Sequence, residues 1–150
     1  VADQKDIRLP ALLQKLNERA ERVLDDVEFL SEIPSDCPDE VVSLSIKRHL
    51  MMFFKEAVHN CARHAQATKV CLTVSVMERQ LRIVLRDNGG GFDESQPVDG
   101  WGLGSMKQRA REMGGEMEMW SAPGEGTEIT LRLPFSSLSR EPSNPYKTSN

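Results

Sequence analysis

Two periods alternate along this chain. Leu12, Leu13, Leu16, Ala20, Val23 and Leu24 recur at helical spacing, which predicts an amphipathic helix ending near Asp26. Residues 27–33 alternate and suit a short edge strand, closed by Pro34, Cys37 and Pro38. Asp39 is a good cap for a long helix over 40–64, with Ile46, Leu50, Phe53, Phe54, Ala57, Val58, Cys61 and Ala65 as its apolar stripe. A period of two follows. Val70, Leu72, Val74 and Val76 share one face of a strand, and Leu81, Ile83 and Leu85 share one face of the next. A glycine-rich stretch, 88–104, leads into a helix over 105–113 that Gly114 and Gly115 end. Strands over 116–121 and 127–133, joined by Ala-Pro-Gly-Glu-Gly, complete the pattern. The order α-β-α-β-β-α-β-β predicts an α+β fold, with helices on one face of a mixed, mostly antiparallel sheet.

Outside these elements the pattern stops. Residues 1–10 read as a linker, 11–135 as one folded domain, and the polar, proline-bearing stretch 136–150 as a disordered tail. A chain of 150 residues is about one domain, and 39% hydrophobic with 28% charged residues is ordinary for a soluble one. A formal net charge of -4 gives no general reason to expect nucleic acid or an anionic membrane as partner. No apolar run is long enough to span a bilayer. Cys37, Cys61 and Cys71 match no metal spacing and read as small buried residues in a reducing compartment.

Four clusters carry candidate chemistry. On the long helix, Glu56, Asn60 and Arg63 fall within a fan of roughly 60°, apart from the apolar stripe. Such a line of groups is either a solvated face or a hold for hydrated Mg²⁺ and the phosphates it bridges. Asp87 continues the inward register of Leu81, Ile83 and Leu85, so its carboxylate points at the core side of the sheet. A buried acid needs a donor, which the exocyclic amine of adenine can supply, and Gly89 and Gly91 would let a flat base approach the backbone. Asp-Asn-Gly is equally a turn sequence. Thr127 shares the register of Ile129, Leu131 and Leu133; if its strand runs antiparallel beside 81–87, Thr127 and Asp87 meet at one end. Finally, Gly102-Leu103-Gly104 opens a helix, where exposed amides attract anions. Neither a Walker loop nor a dinucleotide-binding glycine fingerprint is present.

Taken in order, these motifs resemble the GHKL superfamily of ATPases over about 40–134. The stretches FKEAVHNCARHAQATKV and GLGSMKQRAREMGGEMEMWSAPGEGTEITLRLP are similar to sensor histidine kinases whose response regulators carry a helix-turn-helix output domain. The resemblance implies a two-layer α/β sandwich (the Bergerat fold) that binds ATP and Mg²⁺ in the cytoplasm. It implies that Glu56 stands at the catalytic metal-water position, Asn60 ligates Mg²⁺ and Arg63 contacts phosphate. Asp87 would bind the adenine amine, Gly89 and Gly91 would shape the pocket, and Thr127 would support the base. Gly102, Leu103 and Gly104 would bracket the phosphates, and 93–99 would be a short lid beside Trp101. The implied partners are a histidine-bearing dimerisation domain of the same protein and a response regulator, with no direct nucleic-acid or membrane contact. None of His49, His59 and His64 stands in a phosphoacceptor context, and His64 reads as packed. A stand-alone protein-serine kinase of the anti-sigma type and a non-catalytic nucleotide sensor are the alternatives.

Overall fold

The computed structural model describes residues 6–63, 66–95 and 102–140. The expectations for His64, Trp101, the side chain of Arg63, the second half of 93–99, and residues 1–5 and 141–150 lie outside the described residues.

Strand β1 (Ile7–Arg8) leads directly into helix α1 (Leu9–Val23), followed by β2 (Glu28–Glu32) and β3 (Val41–Val42). Helix α2 (Leu44–Arg63), the hairpin β4 (Lys69–Met77) and β5 (Gln80–Asp87), and helix α3 (Leu103–Glu112) come next. The hairpin β6 (Glu116–Ser121) and β7 (Thr127–Pro134) and a short helix α4 (Phe135–Leu138) complete the order. The main sheet runs β2-β4-β5-β7-β6, with β2 parallel to β4 and every other pair antiparallel. Glu78 and Arg79, both at positive φ, close the β4–β5 hairpin in two residues.

The alternation of the strands explains the layering. In β5, Leu81, Ile83 and Leu85 are buried while Arg82 and Arg86 are exposed. The buried face meets Leu12, Leu13 and Leu16 of α1, Leu50, Phe54 and Val58 of α2, and Met106 and Ala110 of α3 in one core. This is the expected α+β, two-layer arrangement of helices on a mixed sheet. Each fully buried leucine contributes about 1.5–3 kcal/mol relative to exposure.

Three boundaries differ from the pattern. The first concerns the expected linker, 1–10: Ile7 and Arg8 pair with Val42 and Val41, and Leu9 is wholly buried at the start of α1. Pro10 sits in the first turn of that helix, where its missing N–H costs nothing. Secondly, the long helix begins at Leu44, not at Glu40, and Asp39 does not cap it. The β-branched Val41 and Val42 are taken by a strand, and Ser43 Oγ accepts the Ile46 N–H at 3.2 Å instead. The third is the expected tail, 136–150, which begins too early. Phe135 and Leu138 share a buried face of α4, and Leu138 O accepts the Ser43 N–H at 2.9 Å.

Ser43→Ala should lower stability by about 1–2 kcal/mol, because Ser43 Oγ also donates to Arg140 O, whereas Asp39→Ala should cost less than about 0.5 kcal/mol. Urea unfolding of the two variants separates the observed cap, Ser43, from the expected one, Asp39.

Candidate functional site

The candidate site lies at one end of the inner sheet face, where β5, β7 and β6 bring three polar side chains into a row. Asp87 pairs with Thr127, and Thr127 pairs with Ser121. All three are buried, at 4%, 4% and 5% exposure, on a face otherwise made of aliphatic residues. The antiparallel register anticipated for Asp87 and Thr127 is the one observed.

Asp87 is held from two sides. Its Oδ1 accepts the Gly89 N–H at 2.8 Å, and the Cys61 thiol donates to Oδ2 at 3.5 Å. Burial pushes the Asp87 carboxyl above the usual carboxylate range, against the opposing pull of Gly89, Cys61 and the Thr127 backbone. Burial first, and then the neighbouring Asp87 charge, raise the Cys61 thiol far above its ordinary value, so it stays an S–H donor. Asn88 turns outward and braces the strand end. Its side-chain oxygen accepts the N–H groups of Thr68 and Lys69 at 2.9 Å each.

Glycine is required at two points of the floor. Gly126 has φ +81, and a Cβ there would collide with Asp87 O. Gly91 has φ +64, and a Cβ there would collide with Ala122 O and stand 2.9 Å from Gly126 O. The backbones of 87–91 and 122–126 therefore close on each other at a distance only glycine permits.

The opposite wall is made by α2 and α3. Asn60 is 3% exposed and its side-chain amide donates to Met106 Sδ at 3.9 Å, tying the two helices together. One helical turn earlier, the Glu56 carboxylate lies against Gly102, so close that a Cβ on Gly102 would overlap it. Gly102 caps α3 in a left-handed conformation, φ +67. Among the described residues, nothing lies within 4 Å of a Cβ placed on Gly104. The half-buried Leu103 lies between the two glycines and packs against the core.

Of the residues singled out beforehand, Asp87, Gly89, Gly91 and Thr127 gather at the sheet end, and Glu56, Asn60, Gly102, Leu103 and Gly104 form the α2–α3 wall. Three were given no site role: Cys61, read as core; Gly126, read as part of a turn and of the Gly-Thr motif that opens the last strand; and Ser121. The signal for Ser121 was available, since it continues the inward alternation of Met117 and Met119 with a hydroxyl.

This geometry corresponds to a known family. The model of the histidine kinase-, DNA gyrase B-, and HSP90-like ATPases matches residues 45–137, and the chain belongs to that family. The sensor histidine kinase LiaS of Bacillus subtilis is 38% identical over 105 residues, which are 69% of this chain and 29% of that protein. The sensor protein VraS of Staphylococcus saprophyticus is 33% identical over 114 residues, 75% of this chain and 32% of that protein. The stretch in common is the ATP-binding catalytic domain of sensor histidine kinases. This chain spans about a third of the length of these curated relatives. Two solved structures share the fold. The histidine kinase domain of the Erythrobacter litoralis blue-light activated histidine kinase superposes with a TM-score of 0.71 at 21% identity, covering 92% of this chain and 67% of that one. The mycobacterial sensor histidine kinase MprB gives 0.67 at 19% identity, covering 87% and 97%. Among the described residues, no helix is long and apolar enough to cross a membrane.

Two predictions follow from the packing alone. Because the native carboxyl of Asp87 titrates above its unfolded value, folding takes up a proton, and stability falls as pH rises through that window. Asp87→Asn keeps an acceptor for Gly89 and removes the buried charge. It should therefore be more stable than wild type at pH 7, and the gain should vanish below the ordinary carboxylate range in paired denaturation curves. Gly126→Ala should lose about 2 kcal/mol or more from strain and collision, while Gly104→Ala should melt within a few degrees of wild type by calorimetry.

Proposed function

We propose that this domain binds ATP with Mg²⁺ and donates the γ-phosphoryl group to a histidine on a dimerisation domain of the same protein. A response regulator is the next acceptor. The observation that carries the reading is the buried Asp87–Thr127 pair at the sheet end, beside the close approach of 87–91 to 122–126 that Gly91 and Gly126 permit. Burial there disfavours the charge of Asp87, and an amine that donates to it offsets that cost. The adenine amine is such a donor. Gly89 and Gly91 shape the backbone edge that meets the base, and the Thr127 hydroxyl supports it.

The other end of the nucleotide would lie along the α2–α3 wall. The amides at Gly102, Leu103 and Gly104 carry the positive end of the α3 dipole and attract the phosphates. Glu56 and Asn60 supply the hard oxygens that Mg²⁺ prefers, and the contact of Glu56 with Gly102 brings that carboxylate to the phosphate end. Bound there, the metal would neutralise phosphate charge as it shifts toward the leaving oxygen. Arg63, from the end of α2, contributes a second positive charge to the phosphates in this reading. A nitrogen of the acceptor histidine attacks the γ-phosphorus in line, the bond to the β,γ-bridging oxygen breaks, and ADP departs. Glu56 would orient water at the metal, and 93–99 would be the lid over the nucleotide. The domain works on the cytoplasmic side, makes no direct contact with nucleic acid or membrane, and occupies the folded part of 11–135 together with the elements that extend it. The relatives are sensor kinases, which favours this reading over a stand-alone serine kinase or a nucleotide sensor.

Calorimetric titration with a non-hydrolysable ATP analogue and Mg²⁺ tests the pocket. Wild type should bind, and Asp87→Asn should bind about 10- to 100-fold more weakly, the loss expected for a hydrogen bond to a charged group. No binding by a folded wild-type domain would overturn the reading. Transfer is tested by adding labelled ATP to the domain together with a histidine-bearing dimerisation domain. Acid-labile label on that partner, lost with Asn60→Ala, is the expected result.

A further inference from the structure

We infer that Ser121 is a positioning residue that sets the base preference of the proposed pocket by orienting the hydroxyl proton of Thr127. The inference rests on the nucleotide-binding reading and adds a determinant of specificity to it.

The deduction is a proton count. Ser121 Oγ has three polar neighbours: the N–H of Phe92 at 2.9 Å, the carbonyl oxygen of Gly126 at 3.0 Å and Thr127 Oγ1 at 2.9 Å. An N–H can only donate and a carbonyl can only accept, so two of the three directions are decided by chemistry. Ser121 carries one hydroxyl proton, and the Gly126 carbonyl takes it. If that proton turned to Thr127, two lone-pair-bearing oxygens would face each other at 3.0 Å with no hydrogen between them. The one arrangement in which every contact is attractive has Thr127 donating to Ser121. Both acceptor positions of Ser121 are then filled, and its own proton is spent.

The consequence appears on the pocket side. Thr127 has used its proton, so it offers a ligand only lone pairs, and Asp87 beside it, whose two oxygens already accept from Gly89 and Cys61, presents acceptors as well. Two adjacent acceptors match a group with two N–H bonds, such as the 6-amino group of adenine. A 6-oxo purine would set its carbonyl against them. Asp87 alone would favour the amine, but a freely turning Thr127 hydroxyl would soften that preference by donating to the oxo group. Ser121 removes this freedom.

The same residue ties the base side to the chain beyond it. Besides receiving the Phe92 N–H, Ser121 gives its backbone N–H to Glu94 Oε1 at 3.1 Å. A purely structural role in holding residues 92–94 would change the affinity of all nucleotides together. A role through Thr127 changes the ratio between them.

The test is calorimetric titration of the folded domain, with Mg²⁺, using non-hydrolysable analogues of adenosine and inosine triphosphate. Wild type should prefer the adenosine analogue by about tenfold or more. Ser121→Ala should lower that ratio about threefold or more, chiefly by strengthening binding of the inosine analogue. Thr127→Val should do the same, and adding Ser121→Ala to Thr127→Val should leave the ratio where it is. An unchanged ratio in Ser121→Ala, parallel loss of both nucleotides, or an equal further change in the Thr127→Val background would each overturn the inference. Should Ser121→Ala not fold, Thr127→Val decides through the inosine analogue: tighter binding than wild type supports the inference, and equal or weaker binding overturns it. If wild type binds neither analogue, the nucleotide reading itself fails, an outcome distinct from binding with an unmoved ratio.

Discussion

Asp87 occupies the place where the alternation of β5 would put another leucine, and a carboxylate there is costly to bury. Much of the surrounding geometry answers that cost. The strand turns immediately after it so that the Gly89 amide can reach back, and α2 sends a thiol, raised far above its normal titration range, to the other oxygen. These donors do not fully compensate, since burial still holds the carboxyl above its ordinary range. A pocket floor that stays short of one donor is suited to receive a ligand that brings it. In the proposed reading, stability and recognition thus oppose each other at a single side chain.

The row Asp87, Thr127, Ser121 extends this constraint across three strands. Its polar atoms are satisfied sideways, along the row and into the loops 88–92 and 122–126, while the aliphatic face below them packs against the helices. Gly91 and Gly126 let the two loops close to backbone contact, so the sheet end is closely packed there. The position of the loops is therefore set by sterics at two glycines and by one shared hydroxyl. None of these three depends on the α2–α3 wall.

That other end depends on how α2 and α3 pack. Met106 and Ala110 bury α3 in the core, Asn60 meets Met106, and Glu56 rests on Gly102. Farther along the same interface, His49 approaches both Arg109 at 3.4 Å and Glu112 at 3.4 Å. The wall is polar at both ends and apolar between, which fixes the entry of α3 relative to the Glu56–Asn60 side of α2. In the proposed reading, this division gives a base end on the sheet and a phosphate end on the helices.

Periodicity made most of the fold legible. The α+β class, both hairpins, the three longer helices and the edge strand over 27–33 all rest on local spacing of apolar residues, which a chain of this length reports directly. The same spacing placed Asp87 and Thr127 on the inner face, and their antiparallel pairing put them together. The ends of elements were less legible, because Leu9, Ser43 and Leu138 take their roles from partners far along the chain. Leu9 finds Glu40, and Ser43 finds Leu138. Cys61, Gly126 and Ser121 belong to the site for the same reason. A thiol becomes a donor to Asp87 only when α2 lies over β5, a glycine becomes necessary only when another backbone arrives, and a serine governs a threonine only when β6 and β7 end in register. By itself, the sequence determined which faces are buried and which residues bear the chemistry, since those follow from side-chain type and period. Only the tertiary structure decided which donor meets which acceptor, because hydrogen bonding and steric exclusion act over a few ångströms between residues that the chain keeps apart.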